Sequence, residues 1–351
     1  MNSSIKKPVL FIIIILLFVI ALPFAYMALS RPEFIDTGTA KLANTFTDHK
    51  ACVWAVRFSP DGNLLASGSV DSTVIIRDKR SGAILHTLKQ PEGITNIDFS
   101  PDGKFIVTAS YDSKIRLWEV ATGNLVKLFS GHTGTVWTVA FSPDGKAIAS
   151  AGEDKIILHR DIATGNILHK FIGHTLNIWS VKFSADGNLL ASGSFDATIK
   201  LWDVSKGTLI KTIGRHSEAV VDLAFSHNGK WLASTSDDKT IKLWNVADAA
   251  LIKTLEVPEH VQAVAFSPDD KRLMTGGRDQ AVIGELIQNF TGNSEHFKGV
   301  SARLWDIEKG TVLETFNVHK NDVNDVAYST DGLWIATASA DETVELWQII
   351  K

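Results

Sequence analysis

Histidine, serine or threonine, aspartate and tryptophan recur together along this 351-residue chain. One such set is His174, Ser192, Asp196 and Trp202. A serine, a histidine and an aspartate could form a nucleophilic triad, and histidine with aspartate could ligate a metal ion. A catalytic triad is not expected to occur several times in one chain. The recurrence therefore favours a structural role for these residues, and the elements that position them have to be identified first.

The spacing of the set is regular. The aspartates at 112, 154, 196 and 238 lie 42 residues apart, and the turn sequence Phe-Ser-Pro-Asp-Gly or a close variant recurs with each of them. Within one unit, Val136–Phe141 alternates as a half-buried strand does, and Pro-Asp-Gly then favours a tight turn. A period in the low forties without helical periodicity predicts a four-stranded sheet in each unit. One such sheet cannot bury both of its faces, so the units must stack, and a closed ring protects their edges.

The repeat resembles the WD40 family. The resemblance covers residues 37–350, and its motifs are the Ser-Pro-Asp-Gly turns, Gly131-His132, Gly173-His174 and Trp202-Asp203. It implies an all-β, seven-bladed β-propeller over residues 38–351. The last unit lacks a fourth strand, and residues 39–46 match that missing strand. By resemblance we expect this N-terminal strand to pair into the last blade and close the ring.

The resemblance also gives the recurring set a role, as a hydrogen-bonded tetrad inside a blade. Physically, a buried aspartate and histidine must satisfy each other, and the tryptophan N–H needs an acceptor. Four blades depart from the pattern, with Arg77 and Arg160 replacing tryptophan, and Gln90 and Val257 replacing histidine. Complete sets are expected in three blades: His174, Ser192, Asp196, Trp202; His216, Ser234, Asp238, Trp244; and His319, Thr337, Asp341, Trp347.

A partner is expected on one face of the ring. The loops that carry the histidines and aspartates share that face, the top, and the Pro-Asp-Gly turns lie on the bottom. By resemblance Trp54, Trp137 and Trp179 lie at the top mouth of the central channel, with Tyr111 and Phe195 near them. Exposed tryptophan is typical of binding hot spots, although rings buried between blades are the alternative.

Blade six carries about 20 extra residues, 283–302, in a loop that should rise from the top face. They include Phe290 and Phe297, which we add to the candidate partner-binding residues. Insertions confined to one face are often functional, and a tolerated surface loop is the alternative.

The N-terminus predicts a membrane segment. Residues 9–29 are an unbroken apolar run, long enough for a helix to span a bilayer core. We therefore expect a basic cytoplasmic segment at 1–7, a transmembrane signal anchor at 8–30 and a linker at 31–37. Lys6 and Lys7 precede the run, which favours a single-pass protein with the propeller outside, periplasmic or extracellular. Secretion after cleavage of a signal peptide is the alternative.

Composition narrows the function further. The formal net charge is −4, and no basic run appears beyond the first residues, so no nucleic-acid partner is expected. Cys52 is the single cysteine, which rules out an intrachain disulfide and a cysteine-based zinc site. The sequence predicts a membrane-anchored interaction scaffold that binds a protein or peptide and is not an enzyme, with no cofactor or metal. The alternative is a ligand-sensing or enzymatic propeller with its site at the channel mouth.

Overall fold

The computed structural model describes residues 37–278 and 302–350. Over these ranges the chain forms 28 strands in seven four-stranded antiparallel sheets. Each sheet is one blade, and its strands follow each other in chain order except in the last. The seven-bladed all-β propeller predicted from the repeat is thereby confirmed.

The strands follow the repeat closely. Blades one to four comprise β2 (Val53–Phe58), β3 (Leu64–Ser69), β4 (Thr73–Asp78), β5 (Ile84–Lys89); β6 (Ile94–Phe99), β7 (Phe105–Ser110), β8 (Ile115–Glu119), β9 (Leu125–Phe129); β10 (Val136–Phe141), β11 (Ala147–Gly152), β12 (Ile156–Asp161), β13 (Ile167–Ile172); and β14 (Ile178–Phe183), β15 (Leu189–Ser194), β16 (Thr198–Asp203), β17 (Thr208–Arg215). Blades five to seven comprise β18 (Val220–Phe225), β19 (Trp231–Ser236), β20 (Thr240–Asn245), β21 (Leu251–Glu256); β22 (His260–Phe266), β23 (Arg272–Arg278), β24 (Ala302–Asp306), β25 (Thr311–Phe316); and β26 (Val323–Tyr328), β27 (Trp334–Ser339), β28 (Val344–Ile349), with β1 (Ala40–Phe46).

Burial explains the composition of each strand position. The second strand of a blade is almost wholly buried, as in β11, because both of its faces meet neighbouring blades. Small residues let the sheets approach: a Cβ added at Gly68 would lie 2.6 Å from Ile94 of the next blade. The fourth strand lies at the rim and is mostly exposed, as in β5. The hydrophobic cores therefore lie between adjacent blades.

The bottom turns are held by their own side chains. In the third blade Ser142 Oγ donates to Asp144 at 2.6 Å and accepts from the Ala147 amide at 2.9 Å. Gly145 closes the turn with φ of 69°, a value that residues with a side chain rarely adopt. The repeated Ser-Pro-Asp-Gly sequence is thus a local folding signal, which explains its recurrence.

Strand β1 closes the ring as expected. It pairs antiparallel with β28, with Ala40 opposite Ile349 and Phe46 opposite Val344. Phe46 is 8% exposed and packs with Val53 of blade one and Leu346 of blade seven. The first and last strands of the ring therefore share one hydrophobic core.

Two sequence predictions fall outside the described residues. They are the helix at 8–30 and nearly all of the blade-six insertion 283–302, including Phe290 and Phe297. Among the residues that the structure describes, no helix has the length and apolar character required to cross a bilayer.

Candidate functional site

The inner strands bring three tryptophans together at the top of the channel. Trp54, Trp137 and Trp179 each follow the first residue of an inner strand, in blades one, three and four. Trp137 and Trp179 stack with ring centroids 5.1 Å apart. Trp54 meets both edge-on, at 6.4 and 6.3 Å. Residues more than 40 positions apart in the sequence become neighbours because the inner strands converge on the axis.

Two further rings extend this group. Tyr111 meets Trp137 edge-on at 5.5 Å, and Phe195 stacks on Trp179 at 4.8 Å. Both come from the loops between the second and third strands, which border the same mouth. We call Trp54, Tyr111, Trp137, Trp179 and Phe195 the top aromatic cluster. All five side chains are half-buried, so the predicted alternative of rings hidden wholly between blades does not apply.

The polar atoms of the cluster are only partly satisfied. Burial raises the pKa of the Tyr111 hydroxyl, although the neighbouring Trp54 side chain acts to lower it. The indole Nε1 atoms of Trp137 and Trp179 are buried and have no hydrogen-bond acceptor among the described residues. The cluster therefore has a large apolar surface with two donors inside it.

The other blades carry smaller or polar residues at the strand position that the tryptophans occupy. Thr95 of blade two, Val221 of blade five and Gln262 of blade six are buried there. Asn324 donates to the Val53 carbonyl at 3.0 Å, so it links blades seven and one. In the described part of the chain, no three or more His, Cys, Asp or Glu side chains are grouped so that they could hold a metal ion.

The recurring polar sets lie inside the blades. In blade four, His174 Nδ1 is 2.8 Å from Asp196, His174 Nε2 is 2.7 Å from Ser192, and Trp202 donates to Ser192 at 2.8 Å. Burial alone would raise the pKa of Asp196, but hydrogen bonds from His174 and Thr198 hold it well below its usual range. The carboxylate therefore remains ionised and anchors the loop.

Blade five repeats this arrangement around His216, Ser234, Asp238 and Trp244. Burial lowers the pKa of His216 to about 4, although Asp238 acts to raise it. At neutral pH the ring is neutral, with its Nδ1 proton directed at Asp238 and its Nε2 accepting from Ser234. Ser234 is 0% and His216 2% exposed, so no substrate can reach the hydroxyl without unfolding the blade.

Blade seven departs from the predicted set. His319 lies 2.7 Å from Thr337 and 3.2 Å from Asp341, but the Trp347 indole N–H has no acceptor among the described residues. Glu345 is 2% exposed and its carboxylate lies 3.8 Å from His319 Nε2. The sequence analysis predicted Trp347 as a hydrogen-bonded member of this set, whereas in the structure its ring packs on Phe316 without that bond.

The remaining blades keep parts of the network with other residues. His49 and His132 make the contacts to aspartate and serine in blades one and three, where Arg77 and Arg160 replace tryptophan. In blade two, where Gln90 replaces histidine, Arg116 pairs with Asp112 at 2.5 Å. An arginine two residues before the tryptophan thus secures the loop aspartate that histidine would otherwise hold.

The sequence analysis did not identify the charged residues at the bottom of the channel. Five charged side chains line a cavity there: Arg57, Asp98, Lys182, Asp222 and Asp325. The signal was present in the sequence, because these residues occupy the third or fifth position of inner strands whose other blades carry Ala, Ser, Thr or Asn there.

In a comparison with known protein families, one family model matches the chain. The family model described as "WD domain, G-beta repeat" matches seven segments that together cover more than half of the chain: 40–78, 82–119, 123–161, 165–203, 207–245, 250–283 and 310–348. The first match runs from β1 to β4 and the seventh ends within β28, so each repeat of the family begins one strand before the blade.

Relatives match over shorter stretches. "Protein HIRA" of Xenopus laevis is 33% identical over 91 residues, which is 26% of this chain and 9% of that protein. A subunit of chromatin assembly factor 1 from Gallus gallus is 34% identical over 95 residues, 26% of this chain and 16% of that protein. "WD repeat, SAM and U-box domain-containing protein 1" of Danio rerio is 46% identical over 50 residues, 14% of this chain and 10% of that protein. The chain thus spans less than a fifth of the length of each.

The similarity to a chromatin assembly factor overturns the localisation predicted from the sequence. The prediction of a single-pass membrane protein with its propeller outside, and its alternative of a secreted protein, is wrong. It rested on the length of the apolar run and on the charges that flank it, all of which lie outside the repeat.

Proposed function

The chain belongs to the WD40 repeat family, and from that premise we propose that it is a protein-binding module whose partner docks on the top aromatic cluster. The observation that carries the proposal is the contact of three tryptophans, a tyrosine and a phenylalanine from four blades at one mouth of the channel. Interface hot spots are enriched in tryptophan and tyrosine, and such rings gain most when a partner removes them from water.

The surroundings of the cluster support binding and not catalysis. Hydroxyl and imidazole groups that resemble a triad are enclosed in the blades, as Ser234 and His216 are. At the mouth, the Asn324 side chain donates its hydrogen bond to the neighbouring blade and not to solvent. We therefore propose a role without a chemical step, in which the ring supplies a rigid surface for a protein or peptide.

The relatives support a role in an assembly. The Gallus gallus relative is by its name one subunit of a chromatin assembly factor, and its similarity extends over about a quarter of this chain. We propose that this chain likewise works as one component of a multi-protein assembly.

The blade-six insertion is proposed as part of the same surface. Strand β23 ends, and β24 begins, at the top face, which is the face that carries the top aromatic cluster. Deleting residues 283–302 tests whether partner capture depends on the insertion as well as on the rings.

The experiment compares top and bottom tryptophans of similar exposure. The double variant Trp137→Ala with Trp179→Ala should abolish capture of partners that the full-length protein retains in a cross-linked pull-down read by mass spectrometry. Trp231→Ala with Trp334→Ala is the matched control, because both residues are half-buried near the bottom turns. Thermal melts verify that both pairs remain folded. Equal loss of the same partners in both pairs, or retention in the top pair, would refute the top-face assignment.

A further inference from the structure

The lower half of the central channel holds a cavity of about 380 Å³. Bottom-face turn residues such as Pro143, Ser184 and Pro268 line its rim, so it opens away from the top aromatic cluster. Cavities of this size accommodate small molecules, whose sites combine apolar walls with a few placed polar groups.

The cavity exists because the inner strands differ at one position. The penultimate residue of the inner strand lines the cavity, and it is charged in blades one, two and four. In the other four blades it is alanine, which leaves room. The residues in blade order are Arg57, Asp98, Ala140, Lys182, Ala224, Ala265 and Ala327. The alanines of the adjacent blades five, six and seven form an apolar wall, and blades five and seven also supply Asp222 and Asp325 from an earlier strand position.

Two of the three carboxylates in the cavity have a cation. Asp325 pairs with Arg57 and accepts from the Val56 amide at 2.9 Å. Asp222 lies 3.5 Å from Lys182 and accepts from Ser180 at 2.9 Å. Each of these carboxylates also links neighbouring blades, so both serve the ring as well as the cavity.

Asp98 is the exception. It accepts from the Phe141 amide at 2.8 Å, and no lysine, arginine or histidine forms an ion pair with it among the described residues. Burial raises the pKa of the Asp98 carboxyl, and the more distant Arg57 and Lys182 offset this only in part. Ionising Asp98 in the cavity without an adjacent cation is unfavourable, and a bound cation would remove that cost.

We infer that the lower channel binds a small organic ammonium ion, with Asp98 as its counter-ion and the alanine wall as the seat of its alkyl chain. This site goes beyond the proposed function, because it lies on the opposite face and takes a small molecule. Ammonium donors satisfy carboxylate oxygens in short charge-assisted hydrogen bonds. A cation is favoured over an anion because Arg57 and Lys182 already pair with Asp325 and Asp222, which leaves Asp98 as the carboxylate without an adjacent cation.

The test is a calorimetric titration of the full-length protein with n-butylammonium. Butanoate and 1-butanol serve as ligands of similar size with opposite and no charge. We expect saturable binding of one n-butylammonium per chain and at least about tenfold weaker binding of the other two, the effect of one charge-assisted hydrogen bond. Absence of saturable n-butylammonium binding, or equal binding of butanoate, would overturn the inference.

Variants test whether n-butylammonium binding depends on this cavity or only on the overall charge of the protein. Asp98→Asn should weaken n-butylammonium binding by about tenfold or more, as should Ala140→Leu, which fills the cavity without altering its charge. Asp102→Asn is the matched control, because that carboxylate is exposed in the turn following the same strand.

If Asp98→Asn does not fold, Ala140→Leu and Ala224→Leu decide whether the cavity binds the ligand. Unchanged affinity in the folded cavity variants would contradict the site. None of these changes touches the top aromatic cluster, so partner capture should be retained.

Discussion

Blades four and seven carry matching sets of histidine, hydroxyl residue, aspartate and tryptophan, with Ser192 in one and Thr337 in the other, yet they form different networks. In blade four the Trp202 indole donates to Ser192 at 2.8 Å, whereas in blade seven the Trp347 indole has no acceptor among the described residues. The rings pack alike, on Phe171 at 5.5 Å and on Phe316 at 4.8 Å. The two blades also differ at the residue two positions before each tryptophan.

That residue is Lys200 in blade four and Glu345 in blade seven. Lys200 extends along the rim strand and donates to Thr212 at 3.0 Å. Glu345 is 2% exposed and lies beside His319, and one of its oxygens has no hydrogen-bond partner among the described residues. Blade four is thus a satisfied network built from one continuous segment. Blade seven is assembled from both ends of the chain and contains a poorly satisfied carboxyl group.

The largest expected effect comes from removing β1, because blade seven is the blade that takes its outer strand from the other end of the chain. Deleting residues 37–48 should open the ring, because β28 loses its partner and Phe46 leaves the core it shares with Val53. We expect loss of the cooperative thermal unfolding transition followed by circular dichroism. A melt identical to that of the full chain would show that closure contributes nothing to stability.

The next effect concerns the pH dependence of blade seven. Burial raises the pKa of Glu345 to about 7, while His319 opposes this and Asp341 adds to it. Because the folded pKa lies above the unfolded value of 4.5, this contribution to stability is complete below pH 4.5. It is lost as pH rises through 7, with a total change of about 3 kcal/mol.

Glu345→Gln should therefore raise the free energy of unfolding at pH 8 and leave it nearly unchanged at pH 4.5. Denaturant titrations at the two pH values measure the difference. The control is Lys200→Gln in blade four, which should give no pH-dependent gain. A gain of equal size at both pH values in Glu345→Gln would assign the effect to packing instead of ionisation.

The smallest effect isolates a single hydrogen bond. Trp202→Phe and Trp347→Phe remove similar ring volume from similar aromatic contacts, but only the first removes an indole donor that has an acceptor. Trp202→Phe should cost about 1 kcal/mol more than Trp347→Phe in the free energy of unfolding. Equal costs would mean that the Trp347 indole finds an acceptor in solution.

The sequence alone was sufficient for the fold because the information is local and repeated. Each Ser-Pro-Asp-Gly turn is satisfied by contacts within six residues, as in Ser142 and Asp144. The alternation of the inner strands indicated their buried faces, and the count of units indicated the ring. The apolar N-terminal run shows the limit of such local evidence, since its length suggested a membrane location that the relatives contradict.

The candidate sites depended on the tertiary structure to different degrees. The sequence placed Trp54, Trp137 and Trp179 at one strand position, but only the convergence of the inner strands decided that they touch and remain half-exposed. The lower cavity was not anticipated at all. Whether Asp98 finds a cation depends on distances to strands 41 and 84 residues away in the sequence, at Arg57 and Lys182. Residue type and period determined the blades, whereas the pairing of charges between neighbouring inner strands was decided by the closed ring, because only closure places blade seven beside blade one.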